Sequence, residues 1–386
     1  MNERRTYRFE FLDALRGVAI LAVILLHFGQ RGCGSEDHLV HRWLWPVLSH
    51  GYLGVQLFFV ISGYCITAAV YGARGKENPV RHFLVRRARR IFPPYWWSML
   101  LVVVLAAGTW LVMKQQWTAM FPMTPVDWLL NVLLLQQPFG AHDVNLVYWS
   151  LSIEIQFYLL MALCLWKLER AEFYLIGVTV VSALLISSLR FSLSGNVLAY
   201  WPEFACGIAA FYWITGECRW PATPWILAGT AALVAGVFWY RTDGAAPRNG
   251  HVSLTFKLLF CLVTAVVLVV SYRFDAAITR RRWSRVLAAL GTMSYTLYLV
   301  HAPLATRVFN LGERMTGLDG SWGLLYAAAS FLVVLVAGKL FYRFCEQPWL
   351  SSQRRPKREG HRARAQAACD PAELTGAGAR GSSRRP

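Results

Sequence analysis

Residues 11–28 read FLDALRGVAILAVILLHF, an apolar run long enough to cross a bilayer that nonetheless carries Asp13, Arg16 and His27. At about 100° per residue, the eleven steps from Arg16 to His27 end roughly 20° past three full turns, so both side chains leave one face of a helix. Asp13 lies within about 60° of them. The rise separates the guanidinium from the imidazole by about 16 Å along the axis, roughly half the hydrocarbon thickness. One face of this helix therefore carries a cation near one membrane surface and an imidazole near the other. Ionisable groups in a span are costly, face the bundle interior and mark functional sites. The residues alone leave a second reading open, in which Asp13 and Arg16 merely pair at the helix mouth while His27 sits at the interface.

Of the 386 residues 56% are hydrophobic and 16% charged, which is too apolar for a soluble globule. Runs of spanning length recur at 11–28, 48–71, 91–113, 147–166, 172–189, 198–215, 222–240, 256–272, 286–304 and 322–343. An all-α polytopic membrane protein of about ten transmembrane helices is expected. The first run follows Arg4, Arg5 and Arg8 as a signal peptide would, but it holds two charges and lacks a small-residue cleavage site, so it is read as retained.

Cytoplasmic loops collect Lys and Arg. With the N-terminus inside, 28 of the 39 basic residues fall in inner segments and 8 in outer loops, while Arg16, Lys257 and Lys339 lie within spans. Both termini are thus expected in the cytoplasm, and the protein in the inner (cytoplasmic) membrane. The net charge of +18 is a topology signal before it is a nucleic-acid signal, and no nucleic-acid partner is expected. Counting Trp128–Leu135 as a further span would invert every later loop, so a short re-entrant or interfacial helix is expected there. Residues 1–350 form the expected membrane domain. Residues 351–386, dominated by Arg, Ala, Gly, Ser and Pro, read as a disordered basic cytoplasmic tail. Most cysteines lie within or beside spans or on the inner side, with only Cys33 outside, so neither a disulfide framework nor a metal site is expected.

Other polar groups interrupt the spans. Glu154 lies about 10 Å inside the outer end of the fourth, near the depth of His27. Ser150 shares its helix face, and Ser152 lies on another. A bundle-facing carboxylate at that depth is a candidate catalytic group, and a protonated structural acid is the other reading. His301, near the outer end of the ninth span, reads either as a site residue or as an interfacial histidine beside Pro303. Arg86, Arg87, Arg89 and Arg90 run into the third span ahead of Pro93 and Pro94. They serve topology and anionic lipid, or they dock a phosphorylated cofactor with their forked donors.

Seven segments in order resemble the acyltransferase family 3 proteins, membrane O-acyltransferases of bacterial surface glycans and some secondary metabolites. They are LDALRG with His27, Phe58–Thr67 (FFVISGYCIT), Arg86–Tyr95 (RRARRIFPPY), Trp149–Tyr158 (WSLSIEIQFY), Glu203–Gly207 (EFACG), Ser294–Leu304 (SYTLYLVHAPL) and Tyr342–Pro348 (YRFCEQP). Ala14 stands where Gly is common, Ala302 where a bulkier residue is usual, and the C-terminal hydrolase-like domain of many relatives is absent from this sequence. The resemblance implies an acyl-coenzyme A donor, acetyl-CoA foremost, a glycan acceptor and His27 as the catalytic residue. On that reading His27 and Glu154 are catalytic, Arg16, Arg86, Arg87, Arg89 and Arg90 bind the donor, and Ser150, Ser152 and His301 bind the acceptor.

The residues themselves agree. A sugar hydroxyl needs a general base, and an imidazole with an ordinary pKa of about 6.5 suits that task. The departing thiol, near pKa 8.5, needs little help. A proton- or ion-coupled transporter or flippase using Arg16, His27 and Glu154 as a relay is the competing class, distinguished by flux without covalent change. The charge division makes one firm expectation: a reporter fused after Leu350 behaves as cytoplasmic. Periplasmic reporter activity at that point would reverse the whole assignment of sides.

Overall fold

The computed structural model describes residues 9–33, 39–113, 121, 123–166, 170–188, 195–241, 254–318 and 321–351. Every regular element among them is helical. They are α1 (Phe11–Gly32), α2 (Leu39–Leu48), α3 (Leu53–Gly72), α4 (Pro79–Met113), α5 (Pro125–Val132), α6 (Tyr148–Trp166), α7 (Ala171–Ser188) and α8 (Val197–Thr215), then α9 (Thr223–Arg241), α10 (Leu254–Tyr272), α11 (Asp275–Thr279), α12 (Arg282–Thr292), α13 (Ser294–Met315), α14 (Ser321–Phe341) and α15 (Gln347–Ser351). A 3-10 turn at Ser49–Tyr52 joins α2 to α3, and a π turn at Tyr342–Glu346 joins α14 to α15.

Eight helical stretches among the described residues are long and apolar enough to cross a membrane. They contain α1, α3, α4, α6, α8, α9, α10 and α14. The fifth and ninth expected spans correspond to α7, which is shorter, and to α13, whose second half carries Arg307, Asn310, Glu313 and Arg314. The expected helix over 286–304 is broken at Met293, and α13 runs on to Met315. The third span likewise begins earlier than expected. α4 is one helix of 35 residues from Pro79, so its arginines are helical, and Pro93 and Pro94 lie inside it rather than at its mouth. The stretch near 128–135 is a short helix, α5, opened by a capping box in which the Thr124 hydroxyl accepts from Asp127 N and the Asp127 carboxylate accepts from Thr124 N. The expected tail lies outside the described residues apart from Ser351. The seven described cysteines are all free thiols.

The α1 N-terminus is capped from far along the chain. Asp275 accepts from Glu10 N at 3.1 Å and Phe11 N at 2.8 Å, which satisfies orphan donors and sets a negative charge at the positive helix end. Two crossings at backbone contact distance then hold the bundle. A Cβ on Gly17 would lie 2.0 Å from Leu287 O, and one on Gly291 would lie 1.7 Å from Asp13 O, which locks α12 to α1. On α3 and α8, a Cβ on Gly63 would meet Phe204 O at 2.2 Å, and one on Gly207 would meet Val60 O at 1.9 Å. Lipid offers apolar side chains no advantage over one another's company, so membrane helices associate through such small-residue contacts.

The pairings also give direction. Phe59 packs on Phe204, Tyr64 on Phe211 and Tyr71 on Tyr212, so α3 and α8 run parallel. Phe59 meets Trp149 and Ser62 meets Glu154, so α6 is parallel to α3. Tyr95 meets Tyr148 and Phe83 meets Tyr158, so α4 is antiparallel to α6. These are the directions that alternating spans require. Gly207→Val should therefore lower the melting temperature in detergent, with a cost of at least about 1–3 kcal/mol as the α3–α8 backbones are forced apart. Gly236→Ala on α9, where an added Cβ meets nothing within 4 Å, is the matched control and should melt as wild type. Equal melts for the two variants would refute the seam.

Candidate active site

The helix face predicted for α1 looks into a cavity bounded by α1, α3, α4, α6 and α13. Arg16 enters from α1. Phe58, Ser62 and Cys65 enter from α3, at the i, i+4, i+7 spacing of one helical face. α4 supplies Arg87 and Arg90, three residues apart, α6 supplies Ser150, Glu154 and Tyr158, and α13 supplies Ser294, Tyr295 and Tyr298.

Arg16 is fixed from two sides. Its Nη1 donates to Asp13 Oδ1 at 2.7 Å and its Nη2 to Cys65 Sγ at 3.2 Å. The two residues at the helix mouth thus do pair, and the guanidinium still lines the cavity. Glu154 accepts from Ser62 Oγ at 3.2 Å and from the Tyr158 hydroxyl, four residues along its own helix. Arg87 lies over the rings of Phe83 and Tyr158, 5.8 and 5.7 Å from their centroids. Among the described residues neither Arg87 nor Arg90 has a carboxylate within ion-pair distance. The lining holds three guanidiniums against one carboxylate, an excess of positive charge that invites an anion.

The arginine cluster is divided. Arg87 and Arg90 face this cavity and also a second pocket lined by Ala69, Gly72, His82, Phe83 and Arg86. Arg86 belongs to the second pocket only, and Arg89 is exposed and lines neither. Sequence reading had grouped all four; the helical phase of α4 separates them. Ser152, expected beside the acceptor, is fully buried off the cavity, because two residues along a helix carry it about 200° from Ser150.

At the other end of the cavity stands Tyr298. Its hydroxyl shares a 2.6 Å hydrogen bond with Ser150 Oγ, and its ring packs on Phe58 and on His301 at centroid distances of 6.1 and 5.8 Å. Beyond it the His301 ring lies 5.2 Å from that of His27. His27 is half-buried with Nδ1 3.2 Å from Gln30 Oε1, and His301 is fully buried. Further toward the α1 C-terminus, Arg31 donates to Asn310 and Glu313 and fastens α1 to α13. The site therefore has two stations on one face of α1, an arginine-lined cavity and a histidine pair, with Tyr298 between them. Sequence reasoning missed Ser62, Cys65, Tyr158, Tyr295 and Tyr298. The 294, 298, 301 spacing on α13 was the available signal for Tyr298. Among the described residues no three His, Cys, Asp or Glu side chains are grouped to hold a metal ion.

The family model for an acyltransferase domain matches residues 9–343. The chain belongs to the acyltransferase 3 family. Relatives include the acyltransferase MdmB of Streptomyces mycarofaciens, 26% identical over 394 residues that cover 91% of this chain and 95% of MdmB. The O-acetyltransferase OatA of Staphylococcus aureus (strain NCTC 8325 / PS 47) is 25% identical over 368 residues, 87% of this chain and 56% of OatA. YrhL of Bacillus subtilis (strain 168) is 26% identical over 377 residues, 87% of this chain and 54% of YrhL. The chain thus spans about half the length of YrhL and OatA. No solved structure matches.

Glu154 provides a stability test. Glu154→Gln keeps an acceptor oxygen for Ser62 and Tyr158 and should melt within about 1 kcal/mol of wild type, whereas Glu154→Ala strands both donors and should cost roughly 0.6 to 2 kcal/mol. Melting curves in one detergent decide it. An alanine variant as stable as wild type would remove Glu154 from the bundle's hydrogen bonding.

Proposed function

We propose that this chain is a multi-pass inner-membrane O-acyltransferase that moves an acyl group, acetyl foremost, from acyl-coenzyme A to a hydroxyl of a glycan acceptor. The observation that carries the reading is the placement of three guanidiniums and the His27–His301 pair at two stations along one face of α1. Arg16, Arg87 and Arg90 suit the phosphates of a coenzyme A donor because their forked donors match phosphate oxygens, and Arg86 extends the same charge into the adjoining pocket. The 28-to-8 division of basic residues puts that end toward the cytoplasm, where the donor is made. The pantetheine arm, an extended chain, spans from the arginines past Tyr298 to the imidazoles.

At the far station His27 acts as general base. Gln30 Oε1 accepts from Nδ1, so the neutral ring carries its proton there and offers Nε2 as the lone pair. The acceptor hydroxyl gives its proton to Nε2 as its oxygen bonds to the acyl carbon. The carbon–sulfur bond then breaks, and the thiolate leaves and recovers the proton. Glu154, held by Ser62 and Tyr158, lies in the donor cavity rather than against His27, so its role is to orient the donor side and balance the arginines. The relatives' names supply O-acetyl transfer as the chemistry, and acceptor entry from the outer side follows from the place of His27.

His27→Ala should lower acyl transfer by about 10²–10⁴-fold at equal membrane abundance. Arg87→Gln and Arg90→Gln should instead raise the donor KM, with coenzyme A binding weakened in parallel. Near-normal turnover of His27→Ala would reject the base. Unchanged donor KM in both arginine variants would move the phosphate site elsewhere.

A further inference from the structure

His301 is fully buried and held by two backbone carbonyls, and one of its ring nitrogens has no hydrogen-bond partner among the described residues. Its Nδ1 lies 2.8 Å from Tyr298 O and 3.1 Å from Leu297 O. Carbonyl oxygens only accept, so Nδ1 carries the hydrogen and the neutral ring is fixed as the Nδ1–H tautomer. That leaves Nε2 as a bare lone pair. The residue is 0% exposed, and Nε2 is buried without a hydrogen-bond partner among the described residues. A buried acceptor left unmade is costly, so this lone pair calls for a donor from outside the chain. The neighbouring ring is His27, 5.2 Å away, whose lone-pair nitrogen is also Nε2.

Two neighbouring rings, their centroids 5.2 Å apart, therefore each carry an acceptor Nε2, and one hydroxyl has a single proton to give. We infer that His301 Nε2 accepts a hydrogen bond from a second donor on the acceptor molecule, a hydroxyl or amide N–H on the carbon adjacent to the one acylated. His301 is then a specificity-determining residue, and the acceptor class is a vicinal diol or vicinal amido-alcohol, a pattern common in sugars. This rests on the acyltransfer reading, with His27 as the base. The reacting hydroxyl faces His27, its neighbour faces His301, and the pair selects which hydroxyl is acylated.

The test has two arms. In the first, the full chain labelled with 15N-histidine is studied by NMR in micelles, with His301→Gln identifying the resonances. The expected result is a neutral His301 with Nδ1 protonated and Nε2 in the frequency range of a lone-pair nitrogen. A protonated Nε2 in the neutral ring would overturn the inference whatever the protein's activity.

In the second arm, the host strain lacking the chain is complemented with wild type or with His301→Gln, His301→Asn or His301→Ala, and alkali-labile acyl groups on surface glycan are quantified. The Gln side chain can place an acceptor oxygen near the site of Nε2, whereas Asn reaches only as far as Nδ1. Acylation should fall at least about tenfold for Asn and Ala and remain within about threefold for Gln. Equal losses in all three, or Asn outperforming Gln, would mark His301 as structural. NMR of the acylated glycan should show a hydroxyl or amide on the adjacent carbon, and an acyl group lacking such a neighbour would also refute the inference. If the strain without the chain keeps its full acyl content, the acyltransfer reading fails and this role falls with it; the tautomer is still decided by the first arm.

Discussion

A guanidinium within an apolar bundle is the constraint to which the rest of the structure answers. Arg16 is carried into a span, where an unpaired charge is costly, and it is stable there because Asp13 and Cys65 take its donors while its remaining face opens on a cavity. That arrangement needs α1, α3 and α12 to approach at backbone distance. Gly54, where a Cβ would lie 2.4 Å from Ala19 O, permits α3 to approach α1, Gly17 and Gly291 seat α12 on α1, and Gly63 and Gly207 fix α3 against α8. Asp275, capping α1 from a helix more than 260 residues later, holds the charged end of α1 in register. Larger residues at those glycines would separate backbones, and the partners of Arg16 would move with them.

From that fixed point the separation of functions follows. α1 carries its cation and its imidazole about 16 Å apart on one face, and its neighbours divide between the two stations. α3, α4 and α6 supply Cys65, Arg87, Arg90 and Glu154, while α13 supplies Tyr298 and His301. Unpaired guanidiniums are concentrated in the cavity, whereas Arg31, one turn beyond His27, is paired with Glu313. Placing the arginines beside the histidines would disfavour imidazole protonation and hinder a base that must take up a proton. Tyr298, tied to Ser150 and packed on Phe58, keeps the two stations apart.

Much of this was legible in the sequence, for physical reasons particular to each part. A twenty-residue apolar run has few alternatives in lipid, so the all-helical fold and the position of most helices could be read directly. The shared face of Arg16 and His27, and that of Ser150 and Glu154, followed from helical phase and is what the structure has. The break at Met293 was not read from the sequence, although Gly291, which lets α12 meet Asp13 O on α1, lies two residues before it. The unity of α4 was hidden by Pro93 and Pro94, which usually end helices yet lie inside this one. The division of the arginines required knowing that they are helical, which a start at residue 91 concealed.

The segments that carry the family resemblance do two different jobs, and the structure separates them. Some supply groups to the cavity, Arg16 of the first, Ser62 of the second, Arg87 and Arg90 of the third, Ser150 and Glu154 of the fourth and Tyr298 of the sixth, while His27 and His301 form the pair beyond it. Others supply contact. Gly17 and Gly63 make backbone crossings possible, and Gly207 of the fifth segment completes one of them. In the seventh segment the π turn at Tyr342–Glu346 rotates the buried Glu346 inward, where its Oε2 accepts from Thr296 Oγ1 at 2.5 Å on α13. One stretch of α13 thus serves both jobs: Thr296 anchors the helix to the π turn, and Tyr298 and His301 project from the helix so anchored. A substitution at Glu346 acts on the histidine pair through the position of α13, so loss of activity there is not by itself evidence of contact with substrate.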